Sequence, residues 1–219
     1  SDLQSYMEIF EYYPHCAGGF IWDMIDQSLL QEDENGSRIW SYGGDWGDLP
    51  NDGYFCINGL FQPDLTPNPS AEEVRKVYQP ISASLEDPSI GKVIVHNKFA
   101  FRDLSDISLE WKLTTNVIEV QSGKLACPQI QAGQKGSVKI PYNLPTQKKE
   151  GDEHHLFIGF HLNQESDWAE AGHRIAWDQF DCGDIRCSPQ KFTPAHPLTT
   201  PLIIHPFEDQ MEILHPKLK

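Results

Sequence analysis

The sequence predicts an α/β segment followed by an all-β domain. Three observations carry that prediction. Residues 1–80 run in the order helix, apolar stretch, long loop, helix; at Ile81 the pattern changes to short β-rich runs separated by turn clusters; after residue 180 periodicity fades and prolines gather.

In residues 2–13, DLQSYMEIFEYY, three- and four-residue spacing puts Leu3, Tyr6, Met7, Phe10 and Tyr13 on one stripe. Ser1 or Asp2 can cap this amphipathic helix and Pro14 stops it. The run from Ala17 to Ile25 is apolar enough for a fully buried parallel strand. From there to Asn68 neither helical nor alternating periodicity holds, yet loops beyond about 12–15 residues are uncommon in compact domains unless functional or disordered. Trp40, Tyr42, Trp46, Tyr54, Phe55, Leu60 and Phe61 give this loop an apolar mass that a solvated linker lacks, so it is read as an ordered, aromatic-rich site wall. Residues 69–79, PSAEEVRKVYQ, form a second helix with Pro69 in its first turn and Glu72 and Glu73 placed for the helix dipole. This alternation is the rhythm of an α/β barrel, whose loops after the strand C-termini build the site; Trp22 and Asp23, late in the strand, are then placed to face ligand.

Beyond Pro80, the runs VIVHNKF, SLEWKL, VIEVQSGKL, SVKIPYNL and HHLFIGFHL, separated by turn clusters such as DLSD, QAGQKG and KKEGDE, predict an antiparallel sandwich of about a hundred residues, 81–180. Residues 181–219 carry Pro189, Pro194, Pro197, Pro201, Pro206 and Pro216 and read as an extended linker with an edge strand at Leu202–His205.

Composition narrows the partners. Lys and Arg total 17 against 32 Asp and Glu, and the net charge of −15 disfavours nucleic acid and anionic membrane surfaces. A neutral ligand such as a sugar fits better. No apolar run reaches membrane-spanning length, and the start has neither a basic region nor an apolar signal core. Five cysteines, at 16, 56, 127, 182 and 187, are an odd and widely spaced set, which points to reduced thiols in a cytoplasmic protein; Cys182 and Cys187 are near enough in sequence to pair.

The words GGFIWDMIDQ, YGGDWGDLPND, FCINGL and PDLTPNPSAEEVRKVYQP occur in the order and spacing of the final strand, loop and helix of the catalytic barrel in the large bacterial β-galactosidases of glycoside hydrolase family 2, and SDWAEAGHRIAWDQF resembles the end of the sandwich that follows. The resemblance implies the C-terminal end of a (β/α)8 barrel at 1–80, an immunoglobulin-like sandwich at 81–180, and a linker toward a further domain at 181–219. It implies a homo-oligomeric parent polypeptide that hydrolyses terminal β-galactosides with retention, through two glutamates on earlier barrel strands. Retention needs two carboxyl groups about 5–5.5 Å apart. Glu8, Glu11, Glu32 and Glu34 lie in a helix or polar turn outside the family's motifs and read as solvated surface, so neither catalytic role is carried onto this chain.

Trp22 matches the tryptophan that stacks on galactose, although a barrel-core role is also open. Asp23 and Asp26 can bind sugar hydroxyls or cap the loop. In FCING, the carbonyl of Phe55 and the side chain of Asn58 match two sodium ligands near the substrate, the other reading being an Asx-type turn without metal. Asn51 matches a position associated with magnesium. Met24 stands where the family has a second Trp, and Trp46 where it has Phe. A rival within the family is a β-glucuronidase, whose substrate carboxylate favours a basic group in the loop, where Arg38 is the one present between Gly18 and Gly59. A rival of another class is a non-catalytic sandwich that scaffolds or binds carbohydrate. His154, His155 and His161 match no zinc spacing and read as surface histidines, and His173 as a structural hydrogen bonder.

Overall fold

A computed structural model describes residues 2–145, 151–182, 203–207 and 210–214. Residues 1–183 form one compact unit and 184–219 another.

The first unit opens with helix α1, Leu3–Tyr12. Its stripe forms as expected, with Tyr6 and Phe10 rings 6.4 Å apart, but Asp2 accepts from Ser5 Oγ at 2.6 Å and makes no side-chain bond to the helix backbone. The apolar run at 17–25 is a correction. It forms no strand, having a single parallel bridge, Ile25↔Phe61, and it leaves Trp22 and Met24 exposed and Phe20 fully so at 105%. A buried parallel strand needs neighbours on both edges; this segment pairs along one, through Leu60 N to Asp23 O (3.0 Å), Phe61 N to Met24 O (2.9 Å) and Asp26 N to Phe61 O (2.8 Å).

Within the loop lies an unexpected hairpin, β1 (Leu29–Glu32) against β2 (Arg38–Ser41). Its turn contains Asn35-Gly36, a strong short-range hairpin signal. Asp33 Oδ1 accepts from the amides of Asn35 and Ser37 at 2.9 and 2.7 Å, and the Ser37 amide above all holds the Asp33 carboxyl below its usual range. A 3-10 turn, Gly53–Cys56, follows, then helix α2, Pro69–Val77, with Pro69 in its first turn and Arg75 and Lys76 in its last.

From Ile81 the chain builds two antiparallel sheets. One has the order β3 (Ile81–Asp87), β4 (Lys92–Asn97), β7 (Lys135–Lys139); the other β6 (Ile118–Ala126), β5 (Ile107–Thr115), β8 (His154–Leu162), β9 (Arg174–Asp181). Strand β7 ends before Pro141, which cannot donate to a ladder, so the SVKIPYNL run is only half strand. The core is the space between the sheets. Alternate residues of β5 (Ile107, Leu109, Trp111, Leu113) and β8 (Leu156, Ile158, Phe160, Leu162) meet Ile81, Val93, Val95 and Ile140 there. Each such side chain contributes about 1.5–3 kcal/mol on burial. At the rim, the Gln121 side chain acts as a peptide group, donating from Nε2 to Asn143 O (2.6 Å) and accepting from Asn143 N at 3.0 Å.

His154 corrects its surface assignment. It shares the inward parity of Leu156 and Ile158, is 1% exposed, and places Nδ1 2.9 Å from Thr115 Oγ1. His155 and His161 face outward, His161 with Nδ1 3.1 Å from Gly172 O. The His173 ring packs edge-on against Trp168.

Helix α2 is fastened to β9. Lys76 Nζ pairs with Asp178 Oδ1 at 2.7 Å and reaches Gln79 Oε1 at 3.2 Å; Asp178 Oδ2 accepts from Ala83 N at 2.7 Å. Trp177 is bordered by Arg174, Arg75 and Lys76, whose charges lie 4.8, 5.2 and 5.3 Å from its ring. Helix α1 has its own tie, between Glu11 and Lys98 just past β4, at 2.6 Å.

The second unit contains a hairpin, β10 (Ile203–Phe207) against β11 (Gln210–Leu214). The edge strand expected at 202–205 overlaps β10; Cys187 and the other prolines of the expected linker, apart from Pro206, lie outside the described residues. Among the described residues no helix is long and apolar enough to cross a membrane.

Candidate functional site

The loop closes on itself through main-chain contacts that exclude side chains. Gly43 N donates to Gly53 O at 2.9 Å, and a Cβ on Gly43 would fall 2.9 Å from Gly53 N. Asn51 governs the same turn: its Nδ2 donates to Asp48 O (2.8 Å) while its Oδ1 accepts from Gly53 N (3.0 Å). Together these bonds shape a concavity of about 340 Å³ lined by Trp22, Gln27, Gly43, Asp48, Asn51, Asp52, Gly53, Phe55 and Cys56.

Trp22 is 69% exposed at its border. The Trp22–Asp23 peptide is cis, as is Leu49–Pro50. Asp23 Oδ2 accepts from Gln27 Nε2 at 2.6 Å, whereas its Oδ1 is buried with no hydrogen-bond partner among the described residues. Asp26 takes the loop-capping role: its Oδ1 accepts from Gly59 N at 2.7 Å and its Oδ2 lies 3.5 Å from Asn68 Nδ2. Phe55 borders the Trp22 concavity. Asn58, three residues on, borders two other hollows, one beside Tyr6, Ile21 and Glu73 and one beside Asp26, Trp40 and Gln62. The concavity thus joins Trp22, Asn51 and Phe55, while Asn58 lines the other two hollows.

Gln27, Asp48 and Asp52 are polar members of the concavity that the motif analysis passed over. The density of Gly and Asp in YGGDWGDLPND was the available signal. Trp46 gains a bond that Phe could not make, from Nε1 to Ser41 Oγ at 2.8 Å, with Ser41 Oγ donating on to Leu29 O at 2.8 Å. The four glutamates considered for catalysis do not line the concavity: Glu8 meets Gln4 (3.0 Å), Glu11 meets Lys98, Glu32 meets Arg38 (3.9 Å), and Glu34 is exposed in the hairpin turn.

Residues 2–83 match the family model described as glycosyl hydrolases family 2, TIM barrel domain, and residues 93–183 the model described as β-galactosidase, domain 4. This chain belongs to glycosyl hydrolase family 2. Among curated relatives it is 38% identical to a β-galactosidase of Priestia megaterium and 40% identical to one of Photobacterium profundum, each over 82% of this chain and 17% of the relative. A β-galactosidase of Pectobacterium atrosepticum is 36% identical over 86% of this chain and 19% of its own length. The chain therefore spans about a sixth of the length of the curated relatives it matches. A solved exo-chitosanase from Amycolatopsis orientalis aligns with 57% of this chain and 13% of its own at 14% identity, with a TM-score of 0.36.

The metals implied by the family meet unequal donor sets. Among the described residues no group of three or more His, Cys, Asp or Glu side chains could hold a metal ion; Asn51, the position matched to magnesium, ties Asp48 O to Gly53 N through its side-chain amide. The Phe55 carbonyl and the Asn58 amide are neutral hard oxygens of the kind a monovalent cation takes. The Asn58 side chain makes no hydrogen bond to the described residues, which leaves its oxygen available.

Proposed function

We propose that residues 1–80 are the C-terminal end of a (β/α)8 catalytic barrel and supply the sugar platform of a retaining β-galactosidase, with both catalytic glutamates contributed by the remainder of the parent polypeptide. The observation that carries this reading is the exposed Trp22 indole on a concavity whose other groups are amides and carboxylates. An indole presents an apolar face to the C–H side of a pyranose, while Asp48, Asn51, Asp52 and Gln27 can exchange hydrogen bonds with its hydroxyls. Asp23, next to Trp22, holds Gln27 through Oδ2 and so orients one of these amides. Phe55 and Asn58 would contribute two oxygens to a sodium ion, which when bound supplies positive charge for orienting a sugar hydroxyl.

Residues 81–180 form, in this proposal, an immunoglobulin-like sandwich. The strand orders β3-β4-β7 and β6-β5-β8-β9 support it, because they correspond to an A-B-E sheet over a C′-C-F-G sheet. The domain division near Pro80 is supported by the end of α2 at Val77 and the start of the first sheet strand, β3, at Ile81. A homo-oligomeric, cytoplasmic parent belongs to the same proposal. The rival sandwich-module reading is weakened at Trp177, since the ring a sugar would need is bordered by Arg174, Arg75 and Lys76. A glucuronidase reading is weakened because Arg38 faces Glu32 across the hairpin and does not border the Trp22 concavity.

The test is turnover of a chromogenic β-galactoside by the 219-residue chain alone and by a chimera of the Priestia megaterium relative in which this chain replaces the matching segment. The chain alone should match a buffer blank. The chimera should be active, and Trp22→Ala should cut its kcat/KM about 100-fold, or about 2.7 kcal/mol. Turnover by the chain alone that a glutamate substitution abolishes, or an unimpaired Trp22→Ala chimera, would overturn the proposal.

A further inference from the structure

Between residues 22–27 and 56–61 two segments of irregular backbone lie in direct contact. Gln27 N donates to Cys56 O at 2.7 Å, Asp26 N to Phe61 O at 2.8 Å, Phe61 N to Met24 O at 2.9 Å and Leu60 N to Asp23 O at 3.0 Å. The one amide in this zipper that meets a side chain is Gly59 N–H, on Asp26 Oδ1 at 2.7 Å. Asn68 secures the other side of the peptide, donating from Nδ2 to Gly59 O at 2.9 Å, with Asp26 Oδ2 3.5 Å away. A Cβ on Gly59 would stand 2.4 Å from Asp26 N and 2.6 Å from Ile25 C, so the approach is backbone on backbone and requires glycine.

Geometry makes Asp26 more than a loop cap. It is three residues past Asp23 on the segment that presents Trp22, and it grips the residue directly after Asn58. We propose that Asp26 is a positioning residue which fastens the Gly59 turn to the Trp22 segment and so holds Trp22 and Asn58 in one fixed relation. Its carboxylate is suited to this, because an ionised acceptor bonds an amide more strongly than a neutral one does. The consequence for specificity rests on the reading of Trp22 as a sugar platform: displacing the turn would move the platform relative to the concavity it borders.

Two measurements separate the clamp from that reading. In the 219-residue chain, amide hydrogen exchange followed by NMR should show Gly59 exchanging about tenfold or more faster in Asp26→Ala, while sandwich amides such as Leu109 and Ile158 change less than about twofold. Asp26→Asn keeps an oxygen for the Gly59 amide and should stay within about threefold of wild type. Unchanged Gly59 protection in Asp26→Ala, or equal loss in both variants, overturns the proposal. In the chimera, Asp26→Ala should raise KM for a galactoside about tenfold, and should add little in a Trp22→Ala background. Full additivity of the two losses overturns the coupling. A silent Trp22→Ala would instead remove the sugar-platform reading, and the exchange result alone would then decide the role of Asp26.

Discussion

Replacing Asp178 by alanine should loosen the junction between α2 and β9 by a calculable amount. Its side chain is 17% exposed and meets Lys76 Nζ at 2.7 Å and Ala83 N at 2.7 Å. Lys76 is 38% exposed, so solvent screens the ion pair and its share is about 1 kcal/mol or less. The Ala83 amide bond to a carboxylate is worth about 1.5–3 kcal/mol, and its loss would leave that donor without its partner. Asp178→Ala should therefore cost about 1.5–4 kcal/mol, which for a unit of this size lowers Tm by about 3–16 °C. Asp178→Asn retains an oxygen for Ala83 and should lose only about 2–4 °C. Thermal unfolding followed by far-ultraviolet circular dichroism measures both. A fall below about 2 °C for Asp178→Ala, or equal falls for the two variants, would refute the assignment of most of the energy to the amide rather than to the ion pair.

Other expectations are independent of that junction. Trp22→Ala in the 219-residue chain should shift Tm by less than about 2 °C, since so exposed a side chain carries little packing energy; a larger fall in a thermal melt would place Trp22 in the core. In the chimera, Asn58→Ala should flatten sodium activation relative to potassium, and coincident titration curves would mean that the FCING turn is only a turn. Burial pushes the Cys127 thiol up to about 12. Iodoacetamide at pH 8, read by peptide mass in a Cys187→Ser background, should label the partly exposed Cys16 and Cys56 well before the buried Cys127 and Cys182. Because the folded state holds the Cys127 proton more tightly, this thiol's stabilisation is full below about pH 9 and is lost as pH rises toward about 12. A Cys127→Ala variant should have lost that alkaline sensitivity.

The two helices and the sandwich were legible because their signals are local. Leu3, Met7 and Phe10 repeat at helical spacing, β5 alternates apolar and polar residues from Ile107 to Thr114, and β8 keeps Leu156, Ile158, Phe160 and Leu162 on one parity. His154 was misplaced because a polar residue was read by type, whereas strand parity points it inward with Leu156. The Ala17–Ile25 run was misread because apolar composition shows that a segment needs cover without saying which other segment provides it. In the site, Trp22 could be found from one motif. That Phe55 and Asn58 line different hollows could not, because three residues across a 3-10 turn fix a path length and leave the facing direction open. The grip of Asp26 on Gly59 spans 33 positions and has no local trace at all.

The Gln121–Asn143 contact gives the molecule a chemical age. A carboxamide stands in for a main-chain peptide there, and glutamine supplies both the donor and the acceptor that the Asn143 peptide requires. Deamidation of Gln121 would exchange the donating NH2 for a second oxygen, and two acceptors would then face each other across 2.6 Å. One atom's replacement, with no change of size, would turn a matched pair of hydrogen bonds at this rim into a facing pair of acceptors.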